Sequence, residues 1–390
     1  MKYGTKLILT NIIDPISKME NIYNLLFYLA VIAAIAQMFF IFFFYIRLLF
    51  YKPPSVSTDF FPPVSVVISA KNEHRNLIHF LPTILQQDYP DFEVVVVNDQ
   101  STDDTEFFLK NLQQRHSNLK VVNIKNPINF FKGKKFPLSI GIKSASNEHL
   151  LLTDADCKPA TNQWIRQMIQ PYQNEETKIV LGYGAYREKS GFLNLLIRFE
   201  TLKTAMQYFS FALAGMPYMG IGRNLSYKKS LFYQQHGFQK HYTIESGDDD
   251  LFVNNAANKH NTTVIISPDS KTISLPKTTF TKWIQQKKRH LTAGKHYKGR
   301  DILLLTVNEL SFFLLISLSI FLLINKQQII IISSLLFLRY VLYYSALYRL
   351  TRLVDERKLF LISPLLETIL AVILPGMSFL SIFSKRSKWK

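Results

Sequence analysis

The sequence predicts an α/β domain with a mainly parallel sheet, inserted between transmembrane α-helices. Three observations predict it. Leu25–Ile46 runs 22 residues without a charge, three more apolar stretches crowd the C-terminus, and between them short β-branched runs alternate with amphipathic helical patterns. The 390 residues therefore divide into an N-terminal anchor (1–50), a domain of mixed polarity (51–301) and a C-terminal membrane region (302–390) with two or three transmembrane helices.

The anchor is read from length. At ~1.5 Å per residue, Leu25–Ile46 crosses a bilayer core of ~30 Å, with Gln37 as its one strongly polar interruption. It starts too far from the N-terminus, and lacks a small-residue cleavage site, to be a removable signal peptide. The bland alternative is a buried core helix.

After the linker between Lys52-Pro53-Pro54 and Phe61-Pro62-Pro63, strands are expected at Val64–Ser69, Glu93–Asn98, Leu119–Ile124, His149–Thr153 and Lys178–Gly182. Helices are expected between them, over Arg75–Gln86, Asp104–Gln114, Phe136–Ser144 and Asn162–Gln170. Near-continuous apolar strands alternating with amphipathic helices argue for a sheet covered on both faces. Ligands of such sheets bind beyond the carboxyl ends of the strands. Those ends read Ser69-Ala70-Lys71-Asn72-Glu73, Asn98-Asp99-Gln100-Ser101 and Thr153-Asp154-Ala155-Asp156, all polar or acidic.

The C-terminal segments are Ile302–Ile324, Ile329–Tyr348 and Leu359–Phe383, each with one ionisable residue: Glu309, Arg339 and Glu367. Charges at membrane depth are costly, so these should face protein, water or a bound polar group. Pro364 and Pro375-Gly376 make the last segment a candidate for a kinked, re-entrant or interfacial helix. Charge placement agrees. With 51–301 inside, Arg349, Arg352, Arg357 and Lys358 also lie inside, whereas the tail Lys385–Lys390 would lie outside if the last segment spanned fully.

The net charge of +18 raises the question of nucleic acid. No run of Lys and Arg is interleaved with aromatics in a recognisable nucleic-acid module, and the excess suits an anionic membrane surface and phosphorylated substrates. No nucleic-acid partner is expected. One cysteine, Cys157, rules out an internal disulfide and a thiolate metal cluster, and is read as packing. There is no Gly-x-Gly-x-x-Gly after the first strand, no phosphate-cradling Gly-x-x-x-x-Gly-Lys-Ser/Thr loop, and no nucleophile elbow or histidine metal spacing.

The chemistry is carried by carboxylates. A buried strand ending in Asp154-x-Asp156 presents two acids that can share a hard cation with the oxygens of a diphosphate; alone, the pair reads equally well as a solvated turn. Lys132-Gly133-Lys134-Lys135 is either a diphosphate-binding loop or a solvated basic one. Gly247-Asp248-Asp249-Asp250 places three acids at a helix start, where catalysis and dipole stabilisation compete as explanations. Asp103 and Asp104 read as helix caps.

Taken together and in order, these motifs resemble the family 2 glycosyltransferases with a GT-A (Rossmann-like) fold. They resemble in particular the membrane-bound branch of hyaluronan, chitin and poly-N-acetylglucosamine synthases and ceramide glucosyltransferase. The likeness covers about Val64 to Tyr297 and the flanking membrane helices. It implies nucleotide-sugar contacts from Ser69, Lys71 and Glu73, from Asp99, and from Lys134, Gln286 and Arg289. It implies that Asp154 meets the nucleotide and shares a Mg²⁺ or Mn²⁺ with Asp156. It implies a general base at Asp249, with Asp248 as the rival, acting on the acceptor hydroxyl.

Gln286-Lys287-Lys288-Arg289-His290 resembles the family's Gln-x-x-Arg-Trp, with His290 in place of tryptophan. Met219–Asn224 resembles a segment below the acceptor, which assigns Gly222, Asn224 and His290 to the acceptor side. The implied activity is inverting transfer from a nucleotide-diphosphate sugar, UDP-linked, to a lipid or short glycan. The protein would sit in a plasma or bacterial inner membrane with its catalytic domain cytoplasmic. A processive polysaccharide synthase is the alternative within the family. A nucleotide-sugar-binding pseudoenzyme scaffold would have lost acidic motifs that are all present, and a transporter would call for inverted repeats that are not seen.

Overall fold

The computed structural model describes residues 2–54, 59–125, 133–244 and 246–383, with side chains described within 18–373. Lys132 and the basic tail Lys385–Lys390 lie outside the described residues.

Among the described residues ten strands form in chain order: β1 (Val64–Ala70), β2 (Phe92–Asp99), β3 (Leu119–Ile124), β4 (His149–Asp154), β5 (Cys157–Pro159), β6 (Ile179–Leu181), β7 (Gly184–Tyr186), β8 (Leu225–Lys228), β9 (Thr262–Val264) and β10 (Thr272–Ser274). Seven make one sheet in the order β3-β2-β1-β4-β8-β6-β9, and β5-β10-β7 make a second. In the large sheet β3, β2, β1 and β4 are parallel neighbours, while β8 runs antiparallel to both β4 and β6. The mainly parallel sheet expected from the sequence is therefore present. The short strands β5, β7, β8, β9 and β10 were not expected, because three or four residues carry too little period to be read.

Alternation along β1, β2 and β4 sorts the core. Val67, Val95, Leu150 and Leu152 point into one apolar cluster, and Val64, Val66, Ile68, Val94, Val96 and Leu151 into the other. Each such side chain, fully removed from water, is worth roughly 1.5–3 kcal/mol before chain entropy is counted. The second cluster is closed by the helices His74–Leu85 and Trp164–Ile169. The first takes in the helix Lys135–Ser144, where a Cβ on Gly141 would come within 2.6 Å of Val67 Cγ1. That helix sits so close to the sheet only because the position is glycine.

The first cluster also receives Phe192–Leu213, a 22-residue helix whose period did not stand out because it is buried nearly all round. Its Phe211 stacks on Phe44 at 4.0 Å, joining the domain to the first membrane helix.

Among the described residues, three helices are long and apolar enough to cross a membrane: Lys18–Phe50, Gly299–Ile324 and Ile329–Leu353. The first contains a π-helical stretch at Ile41–Tyr45. The last apolar segment forms the helix Ser363–Phe383, of which Ser363–Ile373 counts as a shorter apolar helix. The ionisable residues singled out in the three C-terminal apolar segments are all paired with protein. Glu309 meets Lys203 of the helix Phe192–Leu213 at 2.7 Å, and Glu367 receives Arg339 at 2.6 and 2.9 Å and the Tyr344 hydroxyl at 2.7 Å. Arg339 also lies over the Phe312 and Tyr343 rings at 4.2 and 4.3 Å, so cation–π contacts on its face add to the ion pair.

Candidate active site

The carboxyl ends of β1, β2 and β4 lie side by side, as a parallel sheet requires, with Ser69 in register with Asp154. Beyond β1 the chain turns through Asn72 at φ 56°, and beyond β2 through Gln100 at φ 53°, so both strands end abruptly. The two turns are stitched together. Thr102 N donates to Asn72 Oδ1 at 2.7 Å and Asn72 N donates to Ser101 Oγ at 2.9 Å. Lys71 lies 3.5 Å from Asp99. Asp103 accepts from the Thr105 and His74 backbone N–H groups, an assignment that leaves it a structural cap. Glu73 is half-buried and bonded to Asn76; burial, with Asp156 and Asp154 nearby, lifts its carboxyl above the usual range.

β4 ends at Asp154, and Asp156 follows on the turn into β5. Oxygens of Asp154 and Asp156 and the Cys157 sulfur lie within 4.8 Å of one another. The thiol is engaged by Ser274 Oγ at 2.8 Å, and burial holds it protonated. The hard ligands are thus the two carboxylates. Burial and then the charge of Asp154 push Asp156 upward, a repulsion that one divalent cation between them would relieve. The donor set therefore fits such an ion. Burial also works against ionised Asp154, but Lys134, then Arg223 and Arg289, outweigh it and hold that carboxyl low.

Lys134 joins the two acidic motifs. Its ammonium is bonded to Asp154 and lies 3.9 Å from Asp248, residues 94 positions apart. It is not a solvated loop lysine: its side chain is 19% exposed. Lys135, next in sequence, is buried and donates to the carbonyls of His241, Ile244 and Ser246, so it anchors the approach to the acidic motif instead of facing the crevice.

Asp249 caps the helix Asp250–Ala256. Its Oδ1 accepts from Asp250 N at 2.8 Å and its Oδ2 from Gly222 N at 2.6 Å. A side chain at Gly222 would crowd Asp249 at 3.1 Å, which explains the glycine there. Burial and then Asp248 push the Asp249 carboxyl up to about 6. Asp250, buried beside Asp249 and bonded by the Tyr297 hydroxyl at 2.8 Å, is pushed up to about 8. Both carboxyls are thus raised above the ordinary range, the inner one further, a separation set by environment alone.

The helix Phe280–Gly294 brings Gln286, Arg289 and His290 to the same crevice. Gln286 donates to the Tyr186 hydroxyl at 3.1 Å, and Lys287 of the same helix pairs with buried Glu200. His290 is exposed on this helix, and desolvation by neighbouring side chains, then the cations Lys287, Arg289, Arg223 and Lys277, shift its imidazole below the ordinary pKa. It is neutral at physiological pH.

One assignment needs correction. Asn224 is fully buried: it accepts from Trp164 Nε1 at 2.9 Å and donates to the carbonyls of Tyr183 and Ser270 at 2.8 and 2.7 Å. With its polar atoms spent inside the core it does not line the acceptor side. Its neighbour Arg223 does approach the centre. Arg223 donates to Gly184 O at 2.7 Å, lies over the Tyr186 ring at 4.2 Å and acts on both Asp154 and Asp156. Lys277 acts on Glu73 and Asp156 from the segment after β10. Neither cation was singled out from the sequence. Arg223 stood within a quoted motif, whereas Lys277 carries no local signal.

Residues 65–236 match the family described as Glycosyl transferase family 2. The poly-beta-1,6-N-acetyl-D-glucosamine synthase of Staphylococcus epidermidis is 27% identical over 137 residues, 35% of this chain and 32% of that protein. The probable glycosyltransferase YdaM of Bacillus subtilis is 30% identical over 145 residues, 37% of this chain and 34% of that protein. The matched stretch thus spans about a third of the length of these relatives. Among solved structures, the mannosyltransferase PcManGT of Pyrobaculum calidifontis, in complex with GDP-Man and Mn²⁺, is similar with a TM-score of 0.57 and 17% identity. The likeness covers 90% of this chain and 99% of that one. At that identity the likeness is one of fold, and the fold is GT-A-like.

Proposed function

From a chain that carries a Glycosyl transferase family 2 domain, we propose an integral-membrane, inverting glycosyltransferase that uses a UDP-linked sugar and a lipid or short-glycan acceptor at the bilayer surface. The observation that carries this reading is Lys134, whose contacts to Asp154 and Asp248 bring a diphosphate-type acidic pair and a base-type acidic cluster to one crevice. The domain is read as 51–301, with 1–50 and 302–390 in or at the membrane.

In this reading Ser69, Lys71, Glu73 and Asp99 line the nucleoside end, and Asp154 with Asp156 would hold Mg²⁺ or Mn²⁺. The bound ion would supply charge neutralisation for the leaving diphosphate. Arg289, Lys134 and Gln286 face the diphosphate from the protein side, where a guanidinium offers several fixed donors. Asp249 takes the proton of the acceptor hydroxyl as its oxygen bonds the anomeric carbon and the bond to the diphosphate oxygen breaks. Single displacement from the opposite face inverts that carbon. Neutral His290 and Gly222 border the acceptor.

The acceptor reading rests on the joint between the helix Asp250–Ala256 and the membrane span Gly299–Ile324, where Tyr297 bonds Asp250 and Asn254 bonds Asp301. In this reading those bonds hold the acid cluster near the membrane surface. The likeness to a poly-beta-1,6-N-acetyl-D-glucosamine synthase favours a second reading, processive polymer synthesis.

Incubating the purified protein in nanodiscs with labelled UDP-N-acetylglucosamine, UDP-glucose and GDP-mannose and extracted membrane lipids tests both readings. A singly glycosylated lipid supports the first, long products the second, and no transfer from any donor sinks both. Arg289→Lys keeps the charge but loses the planar fork, so transfer should fall about tenfold or more under the same assay. Transfer within twofold of the parent would remove Arg289 from diphosphate binding.

Nucleotide-sugars are cytoplasmic, so the domain should face the cytoplasm. Cysteine at exposed Lys259 (Lys259→Cys), in a chain whose own Cys157 is buried, should react with an impermeant maleimide only from the cytoplasmic side. Reaction from the outside would reverse the topology.

A further inference from the structure

Asn254 is 2% exposed and makes three hydrogen bonds of 2.9 Å, one to the segment at Tyr218 and two to the start of the helix Gly299–Ile324. Its Nδ2 donates to the Tyr218 carbonyl and to Asp301 Oδ2, and its Oδ1 accepts from Lys298 N. Tyr218 opens the segment whose Gly222 N–H holds Asp249, while Lys298 and Asp301 start the span Gly299–Ile324. Asp301 is fully buried, and its other oxygen takes two bonds from Arg300 at 2.8 and 2.9 Å. One residue outside this set repeats the connection: Tyr297 O–H donates to Asp250.

Every polar atom of Asn254 is thus spent on joining the acid-bearing helix, the segment under Asp249 and the first turn of a membrane helix. A side chain needed only to fill the core at that position would be apolar, since burying an amide without partners costs on the order of 1–3 kcal/mol.

We propose that Asn254 is a positioning residue that sets Asp249 at a fixed height over the bilayer by bolting its helix to Asp301. This rests on the reading of Asp249 as the base. The chemical consequence is that a membrane-held hydroxyl meets the carboxylate without further adjustment, and a misplacement of about 1 Å can cost ~10²-fold in rate.

The bolt predicts a rescue. Asn254→Asp sets a carboxylate against the buried carboxylate of Asp301, a repulsive pair. Adding Asp301→Asn returns a donor opposite an acceptor, with the sense of the bond reversed. The full-length protein in nanodiscs should show three results for Asn254→Asp. Transfer from whichever labelled nucleotide-sugar turns over falls about tenfold or more in kcat, KM for that donor stays within about twofold, and amide exchange of residues 250–256 speeds up. The double variant should regain protection of 250–256 and a large part of kcat.

A double variant no better than the single one, or an Asn254→Asp protein with parental kcat and exchange, overturns the proposal. Parallel losses in kcat, donor affinity and thermal stability also overturn it, because they mark a residue that only holds the fold. If the parent protein transfers no sugar, the proposed function fails, while the exchange arm still tests the bolt by itself.

Discussion

Asp249→Asn is expected to cut sugar transfer by about 10²-fold or more while leaving nucleotide-sugar affinity nearly unchanged. Asparagine keeps the size and can still accept one of the two backbone bonds from Gly222 and Asp250, so the fold loses little. What it loses is basicity. In the parent protein the Asp249 carboxyl is pushed up to about 6 by burial and then by Asp248, so kcat/KM should climb with pH through about 6 and level off above it. The stability term runs the other way. An acid whose folded pKa lies above its unfolded value near 4 binds its proton more tightly in the fold. That contribution is complete below about 4 and is lost as pH rises through about 6. Rate and stability should therefore move in opposite directions across the same window, and the substitution should flatten both. If Asp248→Asn abolishes transfer and Asp249→Asn does not, the base is Asp248, which faces Lys134 at 3.9 Å.

Asp156→Ala is the second large effect: transfer should disappear, and with it any rise in melting temperature on adding Mn²⁺ with UDP. In the parent protein the two carboxylates repel, since burial and Asp154 both raise Asp156. Removing one of them should therefore leave the metal-free protein as stable as before or more so. That combination separates loss of a ligand from loss of the fold. Undiminished turnover of the parent protein in EDTA would remove the metal from the mechanism, and an unchanged Mn²⁺-dependent shift in Asp156→Ala would move its site elsewhere.

Much of the architecture was legible because its determinants are local. β1, β2, β3 and β4 were each placed within a residue at either end, since runs such as Val94–Val97 admit little but a buried strand. The helices between them carry one-sided apolar patterns, and the membrane spans need only length and hydropathy. The long helix Phe192–Leu213 was missed for the opposite reason. Buried against both sheet and membrane helices, it has apolar residues on every side and therefore no period.

The acidic motifs were found in the sequence because carboxylates at the ends of apolar strands are chemically conspicuous. Their roles were not settled there. Asn224 and Asn254 look alike as letters, yet one spends its amide inside the core behind the crevice and the other joins the acid helix to the segment at Tyr218 and to the helix Gly299–Ile324. Lys134 and Lys135 are adjacent, but helical geometry sends one to Asp154 and the other to the carbonyls of His241, Ile244 and Ser246. Arg223 and Lys277 enter the centre only through folding.

By itself the sequence determined the alternation of strands and helices, the membrane segments and the residue types available for chemistry, because period, length and charge are properties of neighbours along the chain. Only the tertiary structure decided which charges meet, which acids are pushed toward their protonated form and what ties the crevice to the apolar helices. Those depend on burial and on distances between residues tens to hundreds of positions apart, where electrostatic energies change most steeply.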